Sequence, residues 1–256
     1  MNEKMKNNSR TSGWTIGADT ACRADARVTN TTKDYLTWTQ EQIGTGTGTW
    51  PFMGRYLTEI RGISNGLTVE SNGEFVPTGE LQTILDNGTA VVLVDNRGTN
   101  YGWGRNGSNG TTDAQKAKEA AAALGIPNDM YIFVDVETDM NNLGNYLSNY
   151  KNVLENGSVK YKMGVYCSSA FYGTISDSFD LSNTFTWIAN WSDSYAYPNW
   201  PDEYPSSVAS CGQVKIWQFI DDQYSARTNY GTAKLDLNLS TASYADKKKF
   251  MYHPYF

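Results

Sequence analysis

Eight short apolar runs punctuate this chain, separated by longer polar or helical stretches: WTIGA (14–18), FMGRYL (52–57), AVVLV (90–94), YIFV (131–134), KMGVY (162–166), TWIAN (186–190), VKIWQFI (214–220) and AKLDLN (233–238). Near-continuous apolar character, rather than strict alternation, marks strands buried on both faces, as in a parallel sheet covered by helices. Most of the intervals leave room for a crossover helix. The clearest helix is predicted over 112–124, where Thr112 and Gln115 form a capping-box pattern, an Ala-rich middle favours the helix, and Gly125 with Pro127 stops it. Others are predicted over 32–42, 79–87, 140–154 and 242–250. The Gly/Thr/Asn-rich stretches 44–49 and 98–111 read as loops adjoining strand ends. Intervals after the fifth and seventh runs look too short for full helices. The pattern predicts an α/β fold, an irregular (β/α)8 TIM-like barrel in a single domain over 14–240. A disordered segment is expected at 1–13 and a helix or loosely anchored tail at 241–256.

In such a barrel the chemistry sits at the C-terminal ends of the strands, so the residues that close each run carry the functional reading. The fourth run ends in Asp135-Val136-Glu137. Residues two apart on a strand share a face, with side chains starting about 6–7 Å apart. Two carboxylates so close do not both ionise freely; one keeps its proton and serves as a general acid while the other stays anionic, which suits acid chemistry on a sugar. Asp19 follows the first run, Asp95 the third, and Asp236 lies in the last with Asn238. Arg55 and Tyr56 close the second, Tyr166 the fifth; Trp187 lies in the sixth and Trp191 follows it, and Gln218 lies in the seventh. Together they predict an acidic, sugar-binding pocket with aromatic and amide partners.

Composition narrows the chemistry further. The 256 residues contain one histidine, His253, in the C-terminal tail, which argues against Ser-His-Asp and Cys-His hydrolases and against His-ligated zinc. Cys22, Cys167 and Cys211 lack the spacing of a disulfide framework or a metal site, so neither metal nor cofactor is expected. A net charge of −6 with pI near 4.9 disfavours nucleic acid as a partner. Mean hydropathy of −0.53 and the lack of a long apolar run argue against a membrane span, and the N-terminus does not read as a signal peptide. Aromatic residues reach 13%, with 8 Trp and 17 Tyr; beyond core needs, such rings line clefts where sugar faces stack.

The motifs IGAD (16–19), GRYL (54–57), DAQKA (113–117), YIFVDVE (131–137), MGVYCS (163–168), WIANW (187–191), IWQF (216–219) and LDLN (235–238) occur in an order and spacing that resembles the glycoside hydrolase family 25 muramidases. The resemblance is closer to their relatives described as a glycoside-hydrolase-like domain of unknown function. It implies a barrel hydrolase cutting the β-1,4 bond after N-acetylmuramic acid in peptidoglycan, acting on the bacterial wall after release or non-classical export. Glu137 would be the general acid. Asp135 would steer the substrate's own 2-acetamido group, Asp19 and Asp236 would complete the acidic pocket, and Arg55, Tyr56, Tyr166, Trp187, Trp191 and Gln218 would hold the sugar. The third run, VVLVDNRG, departs from the muramidase pattern, so Asp95 is expected to build a different subsite. Chitinase-type barrels carry a longer Asp-x-Asp-x-Glu strand, whereas position 133 here is Phe. A glycosidase acting on another N-acetylated glycan, and a catalytically weak carbohydrate- or wall-binding module of the same fold, are the alternatives.

Overall fold

The structure, a computed structural model, describes residues 15–42, 50–58, 66–96, 109–138, 140–191, 201 and 204–255. The expected disordered segment 1–13, the loop 44–49 and most of the loop 98–111 lie outside the described residues. In chain order the elements are β1 (Thr15–Asp19), α1 (Tyr35–Gln42), β2 (Phe52–Tyr56), a hairpin of β3 (Thr68–Ser71) and β4 (Glu74–Pro77), α2 (Glu80–Asp86), β5 (Ala90–Asp95), α3 (Asn109–Ala123), β6 (Tyr131–Asp135), α4 (Leu143–Leu154), β7 (Lys162–Ser168), α5 (Ser169–Ser178), β8 (Phe185–Ala189), α6 (Ser206–Ala209), β9 (Gln213–Thr228), β10 (Gly231–Ser240), α7 (Tyr244–Phe250) and β11 (Met251–Tyr252).

The eight predicted runs are the eight staves of a closed barrel, in the ring order β5-β2-β1-β10-β9-β8-β7-β6, with β6 returning to β5. Neighbours are parallel except at β10, which runs antiparallel to both β9 and β1. That reversal is why no helix separates the seventh and eighth runs: β9 turns straight into β10, and the chain re-enters the barrel from its top. The interval after the fifth run does hold a helix, α5, against expectation. It fits because it starts directly at the end of β7, with the Ser168 hydroxyl accepting from the Phe171 N–H as its N-cap. The 112–124 helix starts earlier than its capping-box pattern predicts, at Asn109.

Alternation along the strands sorts the core into two layers. Outward residues such as Val91, Leu93, Ile132, Val134, Met163 and Val165 pack under the helices. There α4 presents Leu143, Tyr146, Leu147, Tyr150 and Leu154, a stripe at helical spacing. Inward residues fill the barrel itself: Phe52, Val92, Phe133, Phe185 and Trp187 interlock, Phe133 and Trp187 edge to face with centroids 5.8 Å apart. Rings this large fit because glycine sits opposite them. A Cβ on Gly54 would meet the Trp187 ring at 2.3 Å, and one on Gly164 the Phe133 ring at 2.6 Å.

The helix predicted over 242–250 forms as α7, and the residues after it are anchored, where the sequence predicts a loosely held end. Pairing between β6 and β5 spans Leu93–Asp95, and β11 takes the edge of β5 below, opposite Val91 and Val92. Phe250 and Met251 are buried against the barrel's lower rings, Phe250 meeting both Phe133 and Phe185 edge to face, and His253 is buried beside them in sequence. The apolar side chains at 250 and 251 outweigh the cost of ordering a chain end.

Candidate active site

The top of the barrel collects the inward residues at the strand ends. Asp19 of β1 stands directly opposite Asp236 of β10 in the antiparallel register. Asp135 ends β6 opposite Tyr166 of β7 and is fully buried. Two residues on, and so turned the same way, Glu137 is exposed. Gln218 of β9 lies opposite Asn238 of β10, and Trp191, just past β8, is 52% exposed. Beside Asp19 and Tyr166 lies a narrow pit lined by Asp19, Thr20, Gly54, Arg55, Tyr56, Val94, Tyr166 and Trp187.

One amide organises this end of the barrel. The Gln218 Nε2 donates to Asp19 Oδ1 and Oδ2 at 3.0 and 3.2 Å and to Asp236 Oδ2 at 3.2 Å. Its Oε1 accepts from the Tyr166 hydroxyl at 3.0 Å and the Trp191 indole N–H at 2.8 Å. Asn238 Nδ2 also donates to Asp19 Oδ1, and its Oδ1 accepts from the Trp187 indole at 2.9 Å. The Asp222 backbone N–H donates to Asp236 Oδ1 at 2.7 Å.

Two carboxylates so close and so dry do not both ionise. Burial, opposed by the Asn238 and Gln218 donors, lifts the Asp19 carboxyl to about 6, while burial and the Asp19 charge lift Asp236 to about 8. They titrate as a pair and hold one proton between them near neutral pH. The walls around Glu137 raise its carboxyl above the ordinary range, with the Tyr166 hydroxyl opposing. Burial and the neighbouring carboxylates push the Tyr166 phenol well above its ordinary range, so it stays a neutral hydroxyl.

Not every predicted residue reaches the pit with a free polar group. Arg55 is buried and bound to Glu80, its Nε 2.6 Å from Oε1 and its Nη2 3.1 Å from Oε2, while its Nη1 donates to the Thr20 carbonyl. It braces β2 against α2 and the end of β1. Asp95 is also fully buried but points outward, accepting from the Tyr150 hydroxyl of α4 at 2.8 Å. Val94 takes the inward position, so the residue after it has to face the helices. Trp187 is 1% exposed and forms the floor, leaving Trp191 as the open aromatic face. Sequence reasoning places Asn238 among the strand-end residues without naming its partners, and it assigns no role to Glu80. Asn238 is legible from its spacing two residues after Asp236; nothing in the sequence ties Glu80 to Arg55. Among the described residues no group of three or more His, Cys, Asp or Glu is arranged to hold a metal ion, the three cysteines are free thiols, and no helix is long and apolar enough to cross a membrane.

A sequence profile of the Rv2525c-like, glycoside hydrolase-like domain matches residues 49–238. Among curated protein sequences, none matches the chain. Several solved structures share the fold. An uncharacterized protein of B. stearothermophilus, at 21% identity, superposes with a TM-score of 0.59 over 93% of this chain and 100% of its own. The Tat-secreted protein Rv2525c of Mycobacterium tuberculosis, in complex with L-tartrate, is 16% identical with a TM-score of 0.54 over 88% and 94%. GHIP, a glycosyl hydrolase 25 virulence factor of Streptococcus pneumoniae participating in host cell invasion, is 14% identical with a TM-score of 0.50 over 98% and 99%.

Proposed function

The chain belongs to the Rv2525c-like, glycoside hydrolase-like family, and from that premise we propose that it is a muramidase-type glycosidase acting on the β-1,4 bond of N-acetylmuramic acid in bacterial peptidoglycan. The observation that carries the reading is the pair at the end of β6: a buried Asp135 below an exposed Glu137, both turned into the acidic mouth of the barrel. Glu137, with its carboxyl raised by the surrounding walls, protonates the glycosidic oxygen as it leaves. The substrate's 2-acetamido oxygen attacks the anomeric carbon, and the Asp135 carboxylate stabilises the positive charge that develops on the acetamido nitrogen. Glu137, now ionised, takes a proton from the water that opens the cyclic intermediate. This is substrate assistance, one of the departures from the two-carboxylate scheme.

Asp19, Asp236, Gln218 and Asn238 form the acidic wall, and Trp191 offers the face on which a sugar ring stacks. Two of the fold relatives support an extracytoplasmic glycan as the target: one is Tat-secreted and one is a glycosyl hydrolase 25. The test is digestion of purified peptidoglycan by the wild type and by Glu137→Gln, with reducing ends and muropeptides read by mass spectrometry. New reducing N-acetylmuramic acid ends are expected from the wild type, with the variant about 10²–10⁴-fold slower. Wall material from several bacteria left intact by the wild type would overturn the reading in favour of another glycan or a binding role.

A further inference from the structure

Trp191 carries an open ring, 52% exposed, on a fixed mount. Asn190, the residue before it, is held at three points. Its backbone N–H donates to the Gln218 backbone carbonyl at 3.0 Å, and its own carbonyl accepts from the Trp217 indole at 3.0 Å. Its side-chain amide donates to the Ser169 and Ser207 hydroxyls at 2.8 and 2.9 Å. The Trp191 ring is tied at one edge as well, where the indole N–H donates to Gln218 Oε1 at 2.8 Å. Gln218 therefore grips this corner twice, through the backbone of Asn190 and through the indole of Trp191.

Gln218 itself has no polar group left for a ligand. It is 1% exposed, its two N–H groups serve Asp19 and Asp236, and its side-chain oxygen accepts from Tyr166 and Trp191. The orientation of the amide follows from chemistry: an indole nitrogen only donates, so the oxygen faces Trp191 and the NH2 group faces the carboxylates. The indole N–H is spent in the same bond, and what Trp191 leaves open is its ring. We infer that Gln218 is a positioning residue for glycan binding, one that makes no contact with the sugar and acts by holding the Trp191 ring ready to stack on it. This inference rests on the reading of the barrel mouth as a glycan site, and it divides the labour there. Trp191 meets the C–H face of the sugar, while Gln218 meets only Trp191, Tyr166 and the acidic wall. An exposed tryptophan on an untied side chain loses rotamer freedom when a sugar stacks on it; a tied one has already lost it, and the difference appears as affinity.

The tether is read first, by 15N NMR of the tryptophan indoles, with the Trp191 signal identified by its loss in Trp191→Phe. Hydrogen exchange at this indole N–H is expected to be about three- to tenfold faster in Gln218→Met than in the wild type. Affinity is read second, by calorimetric titration with soluble uncrosslinked peptidoglycan strands and with tri-N-acetylchitotriose, all in the Glu137→Gln background so that no turnover intervenes. Gln218→Met is expected to weaken binding by about three- to tenfold, and to have no further effect when combined with Trp191→Phe. Equal exchange with and without Gln218, unchanged affinity in Gln218→Met, an equal loss in both backgrounds, or a protein that binds neither glycan overturns the inference. If Gln218→Met does not fold, Gln218→Asn, an amide one methylene shorter, withdraws the oxygen from the indole and takes its place in the cycle. Binding is independent of cleavage, so a peptidoglycan digest without products overturns the muramidase reading alone and leaves the role of Gln218 to these two measurements.

Discussion

At the scale of the residue, the alternation of strand side chains decides what each polar group does. Asp19 and Asp236 face inward and crowd each other, and Asp135 faces inward opposite Tyr166; Asp95 lies on the same kind of strand but one position out of phase, and it serves Tyr150. The sequence shows the residue types plainly, and the phase is recoverable from Val92 and Val94 flanking the inward track. Which cation meets which anion is not recoverable, because Arg55 and Glu80 are joined by folding alone. That pair is fully buried, so removing either member strands a charge in the core. Arg55→Met or Glu80→Gln alone is expected to cost about 3–5 kcal/mol in chemical denaturation, and Arg55→Met with Glu80→Leu far less than the sum of the two. A sugar-binding Arg55 would instead leave stability nearly unchanged and weaken glycan affinity.

At the scale of the element, the eight barrel strands are legible because both faces of each are buried, which writes an apolar run into the sequence. Elements without such a run escape notice. The β3–β4 hairpin is mostly exposed, and β11 is two residues long and exists only because β5 has an edge to offer. That edge gives the C-terminal segment its importance. An unpaired strand edge is a template for association between chains, and α7 with β11 covers this one while Phe250 closes the barrel floor. Phe250→Ala is expected to cost about 3–5 kcal/mol. Deletion from Tyr244 onward should yield protein that binds a hydrophobic dye and aggregates on mild heating, as followed by light scattering. A deletion variant with wild-type melting would show the segment to be dispensable.

At the scale of the whole molecule, the acidic pit sets how stability follows pH. Asp19 and Asp236 have folded-state values of about 6 and about 8, both above the ordinary carboxylate value near 4, so between these limits the folded protein binds more protons than the unfolded chain. From these two groups, stability should therefore fall as pH rises from about 4 to about 8. Asp236→Asn should flatten that slope and raise the melting temperature at pH 8 by several degrees, as followed by calorimetry. A slope of the opposite sign would show that the pair is not crowded. The same two residues belong to strands at opposite ends of the described chain: β1 meets β10 across a seam where the Asn238 amide reaches Asp19 over 219 positions of sequence. Contacts so distant in sequence carry the highest entropic cost of closure. The β9–β10 hairpin, by contrast, joins neighbours and brings Gln218, Asp236 and Asn238 together on one local unit. Until the first strand docks, that unit holds an Asp236 without the burial and the Asp19 charge that lift its carboxyl in the closed barrel. The abnormal titration of the pit is thus a signal that the barrel has zipped shut, and a stopped-flow pH jump during refolding would time that closure.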